Sequence, residues 1–206
     1  MTFVVHGIDS ISFGFNLADR ALNYATIAIT TAPALGWGDA NTGVAGRTLV
    51  QANADATTYL GQFARATRTK TIWVIMASPN DLAANTLTGP QCLTQYALLM
   101  STIRGFVGTN KIILCDPLPR TQATMAGGQT LAGFQAGRAA ILAGFNGATF
   151  PGIYGDVRAA WGADAFFGVD GSENDNTKYP DGVHPSTLLH SAPHMAGYIT
   201  TAYGLI

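Results

Sequence analysis

Apolar runs with little polar alternation recur along the chain, and helix-like stretches separate them. The strand-like runs are Thr2–His6, Thr71–Ala77 and Lys111–Cys115. The helix-like stretches are Thr48–Thr67, Gln91–Phe106, Gln129–Phe145 and Ala192–Tyr203, and Ala21–Leu35 is ambiguous. Strands that are apolar throughout and alternate with helices are typical of a parallel sheet with both faces covered. We therefore predict an α/β fold with a parallel sheet of about five strands and flanking helices.

The loops that follow the predicted strands are the places to search for chemistry, because active sites of such sheets lie at the carboxyl ends of the strands. These loops begin at Gly7, near Asn41, at Ser78 and at Asp116. The first contains Asp9-Ser10, and the third contains Asn80-Asp81. Reactive and hydrogen-bonding side chains are therefore expected at one edge of the sheet.

The segment Tyr179–Ser186 holds a carboxylate and a base three positions apart, Asp181 and His184. A serine hydroxyl becomes a strong nucleophile when a base takes its proton, and histidine, with a pKa near 6.5, is the natural base. A carboxylate orients the histidine through its other ring nitrogen, and a single turn of chain brings Asp181 to His184. With Ser10, the pair has the composition of a Ser-His-Asp triad, which is defined by geometry rather than by order along the chain.

These blocks, in this order, resemble the SGNH hydrolases, also called the GDSL esterase and lipase family. The resemblance covers nearly the whole chain and rests on Ser10, Gly46, Asn80 and the pair Asp181-x-x-His184. Each block alone is a weak signal, whereas four blocks in the family order, three of them at predicted strand ends, form a strong one. The resemblance implies a flavodoxin-like α/β/α sandwich in which residues 1–206 form one domain.

The resemblance also implies a role for each matched residue. Ser10 is the nucleophile, His184 acts first as base and then as acid, and Asp181 orients His184. The backbone N–H groups of Ser10 and Gly46 and the side chain of Asn80 hold the oxyanion. Each such donor contributes about 2.7–4 kcal/mol in the transition state. The resemblance implies neither a metal ion nor an organic cofactor.

The sequence departs from the family pattern in two places. Ile8 stands directly before the Asp-Ser pair where the family has glycine, and Gly7 lies one position earlier. Ser78 replaces the glycine of the third block. The first departure affects the turn that carries Ser10, and the second affects the position of the Asn80 side chain. Neither removes a reacting group. In the second block, Gly43 is an alternative oxyanion donor.

Several side chains near the predicted site have two interpretations. Phe13 and Trp37 either stack on a sugar or acyl group of the substrate or belong to the packing. Arg47 either contacts substrate or forms a structural ion pair, and we favour the ion pair. Asp9 is expected to hold the nucleophile turn through backbone hydrogen bonds, and Asp81 is expected to be structural.

Two cysteines and two histidines raise the questions of a disulfide and of a metal site. Cys92 and Cys115 allow either one disulfide or two separate buried thiols, and we expect the thiols. His190 and His194 have the spacing of a helical metal pair, but a zinc hydrolase needs a third ligand and a glutamate base. Because Glu173, the only glutamate, does not lie between them, we expect ordinary surface or helix-start histidines.

The low charge of the chain limits the classes of partner that it can bind. Only 11% of the 206 residues are charged and the net charge is −1, which excludes the basic patch that nucleic-acid binding needs. The 48% of hydrophobic residues exclude a disordered chain. No apolar run reaches the roughly 18–20 residues that span a bilayer. Without a signal peptide at its start, the chain is expected to be cytoplasmic or to be exported by a signal outside it.

The predicted activity follows from the triad and the size of the chain. This length leaves little room for a lid, which favours short acyl groups such as acetyl over long lipid chains. We predict hydrolysis of short-chain esters through an acyl-Ser10 intermediate, with carbohydrate O-deacetylation as one form of it. The scarcity of charge favours an extracellular or particle-borne esterase of small-molecule or carbohydrate esters. The alternatives are an acyltransferase with the same acyl-enzyme and a catalytically weak carbohydrate- or receptor-binding module.

Overall fold

The computed structural model describes residues 2–7, 9, 11, 17–19, 23–31, 38–76, 80–145 and 157–204. Within these ranges the chain forms one five-stranded sheet. The strands are β1 (Thr2–Gly7), β2 (Gly38–Asn41), β3 (Lys70–Met76), β4 (Asn110–Cys115) and β5 (Val157–Ala159). All pairings are parallel, and the spatial order is β2-β1-β3-β4-β5. This is the flavodoxin-like order, so the predicted fold class is confirmed.

The helices lie between and after the strands. They are α1 (Tyr24–Thr31), α2 (Leu49–Asp55), α3 (Asn80–Ala83), α4 (Gly89–Arg104), α5 (Leu131–Gly144), α6 (Thr187–His190) and α7 (Met195–Tyr203). Among the helices in the described ranges, none is long and apolar enough to cross a membrane.

Each face of the sheet carries its own hydrophobic core, because successive side chains of a strand point to opposite faces. On β3, Trp73 and Ile75 belong to a core that α2, α4 and α5 cover. Val74 and Met76 belong to the opposite core, which α1, α6 and α7 cover. Burial on both faces explains why the strands appear in the sequence as continuous apolar runs.

The two cysteines lie in different cores. Cys92 belongs to the core beneath α4, whereas Cys115, the last residue of β4, belongs to the core on the other face of the sheet. Both thiols are free and buried. Burial is the main reason why the pKa of Cys92 rises to about 12. The expectation of two separate buried thiols is therefore confirmed.

Local side-chain contacts set the ends of the helices. Thr48 caps α2 and Thr88 caps α4, each in a reciprocal arrangement with the glutamine three residues later. The predicted helix Thr48–Thr67 is a helical run of mixed type that ends four residues earlier. The α-helix α2 ends at Asp55, a π-helical turn follows over Ala56–Leu60, and a 3-10 turn follows over Gly61–Phe63. In the π-helical turn the Thr58 hydroxyl donates to the Asp55 carbonyl at 3.1 Å, a side-chain bond that competes with regular helix geometry.

Candidate active site

The loop after β1 is held by a buried carboxylate on one side of Ser10. Asp9 is 1% exposed, and its Oδ1 accepts a hydrogen bond from the backbone N–H of Ile11 at 3.1 Å. This bond joins the two neighbours of Ser10, which itself lies outside the described residues. Gly7 allows the end of β1 to approach the loop after β2, because a Cβ at this position would overlap the Thr42 hydroxyl. Gly7 therefore has a packing role of its own, one position before the family glycine.

The loop after β2 separates the two candidate glycines of the second block. Gly43 is buried, and its N–H donates to Oδ1 of Asn41 at 2.9 Å. That N–H is therefore already used within the loop. Gly46 is exposed and has a φ of +73°, a left-handed conformation that favours glycine. Of the two, Gly46 lines the pocket described below, which Asn80 also lines.

Asn80 begins α3 and connects two loops through its amide. Its Nδ2 donates to the Arg47 carbonyl at 3.0 Å, and its Oδ1 accepts from Nη2 of Arg120 at 3.3 Å. The first contact ties Asn80 to the loop of Gly46, and the second ties it to the loop after β4. Asn80 and the second-block loop are thus adjacent, as the resemblance implies, although residues 77–79, including Ser78, lie outside the described part of the chain.

Asp81 holds the beginning of α2 rather than facing the pocket. It is 2% exposed, and its Oδ2 accepts from the backbone N–H of Leu49 at 2.6 Å. Burial raises the pKa of Asp81, and the hydrogen bond from Leu49 partly offsets that effect. A carboxylate at a helix N-terminus satisfies backbone donors that have no partner within the helix. This contact supports the structural role expected for Asp81.

Asp181 and His184 form the predicted pair. Nδ1 of His184 lies 2.7 Å from Oδ2 of Asp181. The other carboxylate oxygen, Oδ1, accepts from the backbone N–H groups of Val183 at 3.0 Å and His184 at 2.8 Å. Partial burial alone would raise the pKa of Asp181, but the backbone and ring hydrogen bonds from His184 outweigh it, and the pKa falls to about 2. Asp181 is therefore ionised at neutral pH and oriented by three hydrogen bonds.

The turn that carries this pair is fastened to the loop after β4. The carbonyl of Gly182 accepts from the backbone N–H of Thr121 at 3.0 Å. Gly182 has a φ of +73°, and a Cβ there would overlap the Thr121 side chain. Glycine is therefore required at position 182 on two grounds, backbone conformation and close approach. Docking on this loop brings the Asp181–His184 pair to the carboxyl edge of the sheet.

Arg120 is the residue of this site that sequence reasoning missed. It follows β4 and is only 9% exposed, although arginine is rarely buried without partners. Burial lowers the pKa of Arg120, while the charges of Asp9 and Asp181 act in the opposite direction. The guanidinium thus lies within electrostatic reach of both carboxylates. The position of Arg120 in the loop after Asp116 was the available signal, but the residue belongs to none of the recognised blocks.

A small pocket of about 230 Å³ lies between the second-block loop, α3 and the loop after β4. Its walls include Gly46, Asn80, Ala83, Ala84, Arg120 and Ala126. Two of the three oxyanion donors implied by the resemblance thus border one cavity. The alanine side chains give this cavity a mostly short, apolar lining.

The remaining candidates fall into two groups. Arg47 pairs with Asp55 at 3.2 Å and lies 5.3 Å from the centre of the Tyr59 ring, so the structure contains the ion pair favoured for it. Phe13 and Trp37 lie outside the described residues, and the choice between stacking and packing stays a prediction for both.

The two histidines near the C-terminus differ from each other. His190 is 1% exposed, and its Nδ1 accepts from the backbone N–H of Tyr24 at 3.0 Å. The expectation of an ordinary surface or helix-start histidine is therefore wrong for His190, because α6 packs its last residue against α1. His194 does precede a helix, α7, and stacks on Phe166 at 4.7 Å. Within the described ranges, no three His, Cys, Asp or Glu side chains gather as metal ligands do.

The comparison with known proteins identifies the fold. Neither a protein-family model nor a curated protein matches the chain. The solved structure of TesA matches with a TM-score of 0.66 and 19% identity over 100% of both chains. A lipolytic protein of the G-D-S-L family from Veillonella parvula matches with a TM-score of 0.63 and 11% identity, over 98% of this chain and 95% of that one.

A carbohydrate esterase family 3 protein from Talaromyces cellulolyticus shares the same architecture. Its TM-score is 0.59 at 15% identity, and the match covers 97% of this chain and 94% of that one. The protein therefore has the α/β fold of the SGNH, or GDSL, hydrolases, in agreement with the blocks in its sequence. At identities this low the likeness shows the fold alone.

Proposed function

We propose that the protein is a serine esterase that hydrolyses short-chain acyl esters through an acyl-Ser10 intermediate. The observation that carries this proposal is the pairing of His184 with Asp181 at 2.7 Å, on a turn docked at the carboxyl edge of the sheet. The loop containing Ser10 starts from the same edge, at the end of β1. The fold shared with lipolytic proteins and esterases supports the same assignment.

In the proposed reaction, the Ser10 hydroxyl oxygen attacks the ester carbonyl and its proton passes to Nε2 of His184. The Nδ1–H of the same ring donates to Asp181, whose carboxylate stabilises the imidazolium. The tetrahedral intermediate collapses, the C–O bond to the alcohol breaks, and the alcohol leaves with the proton of His184. A water molecule, deprotonated by His184, then attacks the acyl-enzyme and releases the carboxylic acid and Ser10.

The negative charge of the tetrahedral intermediate needs donors that are already in position. We assign this role to the backbone N–H groups of Ser10 and Gly46 and to Nδ2 of Asn80. Asn80 supports the assignment because its amide is held between Arg47 and Arg120 and borders the same pocket as Gly46. Donors fixed before the reaction stabilise developing charge without a cost of reorganisation during it.

The short length of the chain leaves little room for a lid, which favours a short acyl group. The pocket of about 230 Å³ that Gly46 and Asn80 border is lined in part by Ala83, Ala84 and Ala126. We therefore assign acetyl esters as the preferred substrates. Carbohydrate O-acetyl esters are the form that best suits a chain with only 11% charged residues, and one protein of the same fold is a carbohydrate esterase.

Hydrolysis of p-nitrophenyl acetate, butyrate and octanoate tests this proposal. We expect activity to fall from acetate to octanoate and Ser10→Ala to remove it. Ser101→Ala, which changes an exposed serine on α4, is the matched control and is expected to keep wild-type activity. A wild-type protein that hydrolyses none of the three esters, or a Ser10→Ala variant of equal activity, would overturn the esterase proposal. Highest activity on octanoate would overturn the assignment of the acyl group.

Adding an alcohol acceptor separates the hydrolase from an acyltransferase that uses the same acyl-enzyme. The products formed from p-nitrophenyl acetate are measured with and without glycerol. A hydrolase forms mainly acetate in both cases, because water attacks the acyl-enzyme. Predominant formation of acetylated glycerol would assign the protein to the acyltransferases instead.

A further inference from the structure

We propose that Arg120 is a positioning residue that fixes the amide of Asn80 with Nδ2 directed to the oxyanion and Oδ1 directed away from it. This inference rests on the proposed esterase function and adds to it a residue outside the four blocks of the family. Arg120 does not contact the reacting atoms in this account. It acts through Asn80, whose orientation it selects.

An asparagine amide has two orientations of nearly the same shape, related by a 180° rotation that exchanges oxygen and nitrogen. Only its hydrogen-bond partners choose between them. A guanidinium is purely a donor, so Nη2 of Arg120, at 3.3 Å, requires the oxygen of Asn80 on its side. The Arg47 carbonyl is purely an acceptor, so at 3.0 Å it requires the nitrogen. Both partners therefore select the same orientation.

The amide nitrogen carries two hydrogens, and the contact with Arg47 uses one of them. The second is the hydrogen that the proposed contact with the oxyanion uses. In the flipped orientation the carbonyl oxygen of Asn80 would lie where the nitrogen is now. An oxygen there repels a developing oxyanion instead of donating to it, so the flipped state is inactive. Removing the donor of Arg120 takes away one of the contacts that oppose the flip.

Arg138, the other deeply buried arginine in the described ranges, has partners that give it a structural role, unlike those of Arg120. Nε of Arg138 donates to the Pro117 carbonyl at 2.9 Å, and its Nη1 binds Asp170 at 2.8 Å. That guanidinium joins the loop after β4 to the segment that contains Gly162 and Asp170. Arg120 instead binds the side chain of a proposed oxyanion donor, and within the described residues its Nε has no hydrogen-bond partner.

The charges around Arg120 explain why a buried cation is tolerated here. A buried guanidinium needs compensating negative charge, and the carboxylates of Asp9 and Asp181 are the ones that act on it. Asp9 belongs to the Ser10 loop and Asp181 to the His184 turn. Thr121, the next residue along the chain, binds the carbonyl of Gly182. Arg120 is therefore within electrostatic reach of both the Ser10 loop and the His184 turn, and it binds Asn80.

A double-mutant cycle on p-nitrophenyl acetate hydrolysis tests whether Arg120 acts through Asn80. The variants are Arg120→Met, Asn80→Ala and the double variant. Asn80→Ala removes one oxyanion donor and is expected to lower kcat by about 10²-fold. Arg120→Met is expected to lower kcat by about 10-fold or more, with KM changed by less than about twofold, because the loss appears in the transition state. The double variant is expected to match Asn80→Ala within about threefold, because Arg120 has nothing to orient once the amide is gone.

Two further variants keep the test decisive. Arg65→Met removes the same charge from an exposed position and is expected to leave kcat unchanged. Arg120→Lys keeps a donor and is expected to recover part of the activity lost in Arg120→Met, which also covers the case in which Arg120→Met does not fold. Thermal unfolding of each variant identifies such a case.

The outcomes distinguish this proposal from the proposed function. If wild type hydrolyses the ester and Ser10→Ala does not, but the effects of Arg120→Met and Asn80→Ala multiply, the positioning role is overturned and the esterase assignment stands. An unchanged kcat with a raised KM in Arg120→Met would also overturn it, since Arg120 would then bind substrate. If wild type has no activity that depends on Ser10, the esterase proposal fails, and the role of Arg120 fails with it.

Discussion

His184 and His190 stand in the same C-terminal segment, yet their surroundings give them opposite properties. His184 is partly exposed, and its ring binds the ionised carboxylate of Asp181 at 2.7 Å. His190 is 1% exposed, stacks on Tyr24 at 5.5 Å and accepts a backbone hydrogen bond. Burial is the main reason why the pKa of His190 falls to about 3. The same side chain is equipped for proton transfer at one position and kept neutral inside the core at the other.

The difference indicates that a carboxylate partner and access to solvent, rather than residue type, make a histidine suitable as the proposed base. A buried imidazole without a carboxylate partner cannot accept a proton at neutral pH, because the charged form is poorly solvated there. His190 instead contributes a fixed acceptor and aromatic surface to the contact between α6 and α1. Variants of the two histidines should therefore affect different measurements.

Replacement of the proposed base should have the largest effect. We expect His184→Ala to lower kcat for p-nitrophenyl acetate by at least about 10⁴-fold, because the Ser10 proton then has no acceptor. The free energy of unfolding should change little, since His184 lies on a surface turn. Steady-state kinetics and urea unfolding measure the two quantities. Near-normal kcat in this variant would remove the distinction between the two histidines.

Replacement of Asp181, the carboxylate partner of His184, should have the second-largest effect. Asp181→Asn keeps an oxygen for the backbone N–H groups of Val183 and His184, but it presents an amide nitrogen to Nδ1 of His184. That nitrogen donates, so the ring is held in the wrong tautomer, and we expect kcat to fall about 10³–10⁴-fold. The pH dependence of kcat/KM supplies the check. A loss of less than tenfold would show that Asp181 is not needed to orient the base.

His190→Ala should show the reverse pattern. The substitution opens a cavity and leaves the backbone N–H of Tyr24 without its acceptor, so we expect the free energy of unfolding to fall by about 2–4 kcal/mol. The kcat of the folded fraction should stay within about threefold of wild type. His194→Ala, which removes a stacking contact with Phe166 at the surface, is the matched control and should cost less than about 1 kcal/mol. A folded His190→Ala variant that has lost its activity would contradict the structural role of His190.

The burial of His190 also makes stability depend on pH, while catalysis by the folded protein is unaffected by this group. Because the pKa of His190 is about 3 in the folded state and about 6.5 when unfolded, the unfolded chain binds the additional proton between these values. Stability from this group is complete above pH 6.5 and is lost as the pH falls towards 3, by up to about 1.4 kcal/mol per pH unit. Urea unfolding from pH 7.5 to 4.5 measures the slope. His190→Asn keeps an acceptor near Tyr24 but cannot titrate, so its slope should be smaller, and an equal slope would assign the dependence to other groups.

The sequence predicted the features that depend on local spacing or on strand ends. Asp181 and His184 are close because a tight turn with only two residues between them joins them. The predicted strand Thr71–Ala77 is recognisable in the sequence because β3 is buried on both faces. The strand β5 was not predicted, because its three residues, Val157–Ala159, are too few to show a hydrophobic pattern. The end of α2 at Asp55 was not predicted, because it is accompanied by a hydrogen bond from the Thr58 side chain to the Asp55 carbonyl rather than by a helix-breaking residue.

The features that the sequence did not reveal, the contact of Arg120 with Asn80 and the burial of His190, depend on contacts between distant segments. Arg120 meets Asn80 only after β3 and β4 have paired, and His190 becomes buried only when α6 packs on α1. Neither contact has a local signature, because the partners are far apart along the chain. For Arg47, both the substrate contact and the ion pair were plausible in sequence, and the position of Asp55 one helix length away decided for the ion pair.

The most direct test of the central claim is to locate the covalent adduct formed with an organophosphate such as diethyl p-nitrophenyl phosphate. Peptide mass spectrometry of the treated protein identifies the modified side chain. We predict a single diethylphosphoryl group on Ser10, much slower labelling of His184→Ala, and normal labelling of His190→Asn. Labelling of a different residue, or labelling that proceeds equally fast without His184, would contradict the assignment of Ser10 and His184.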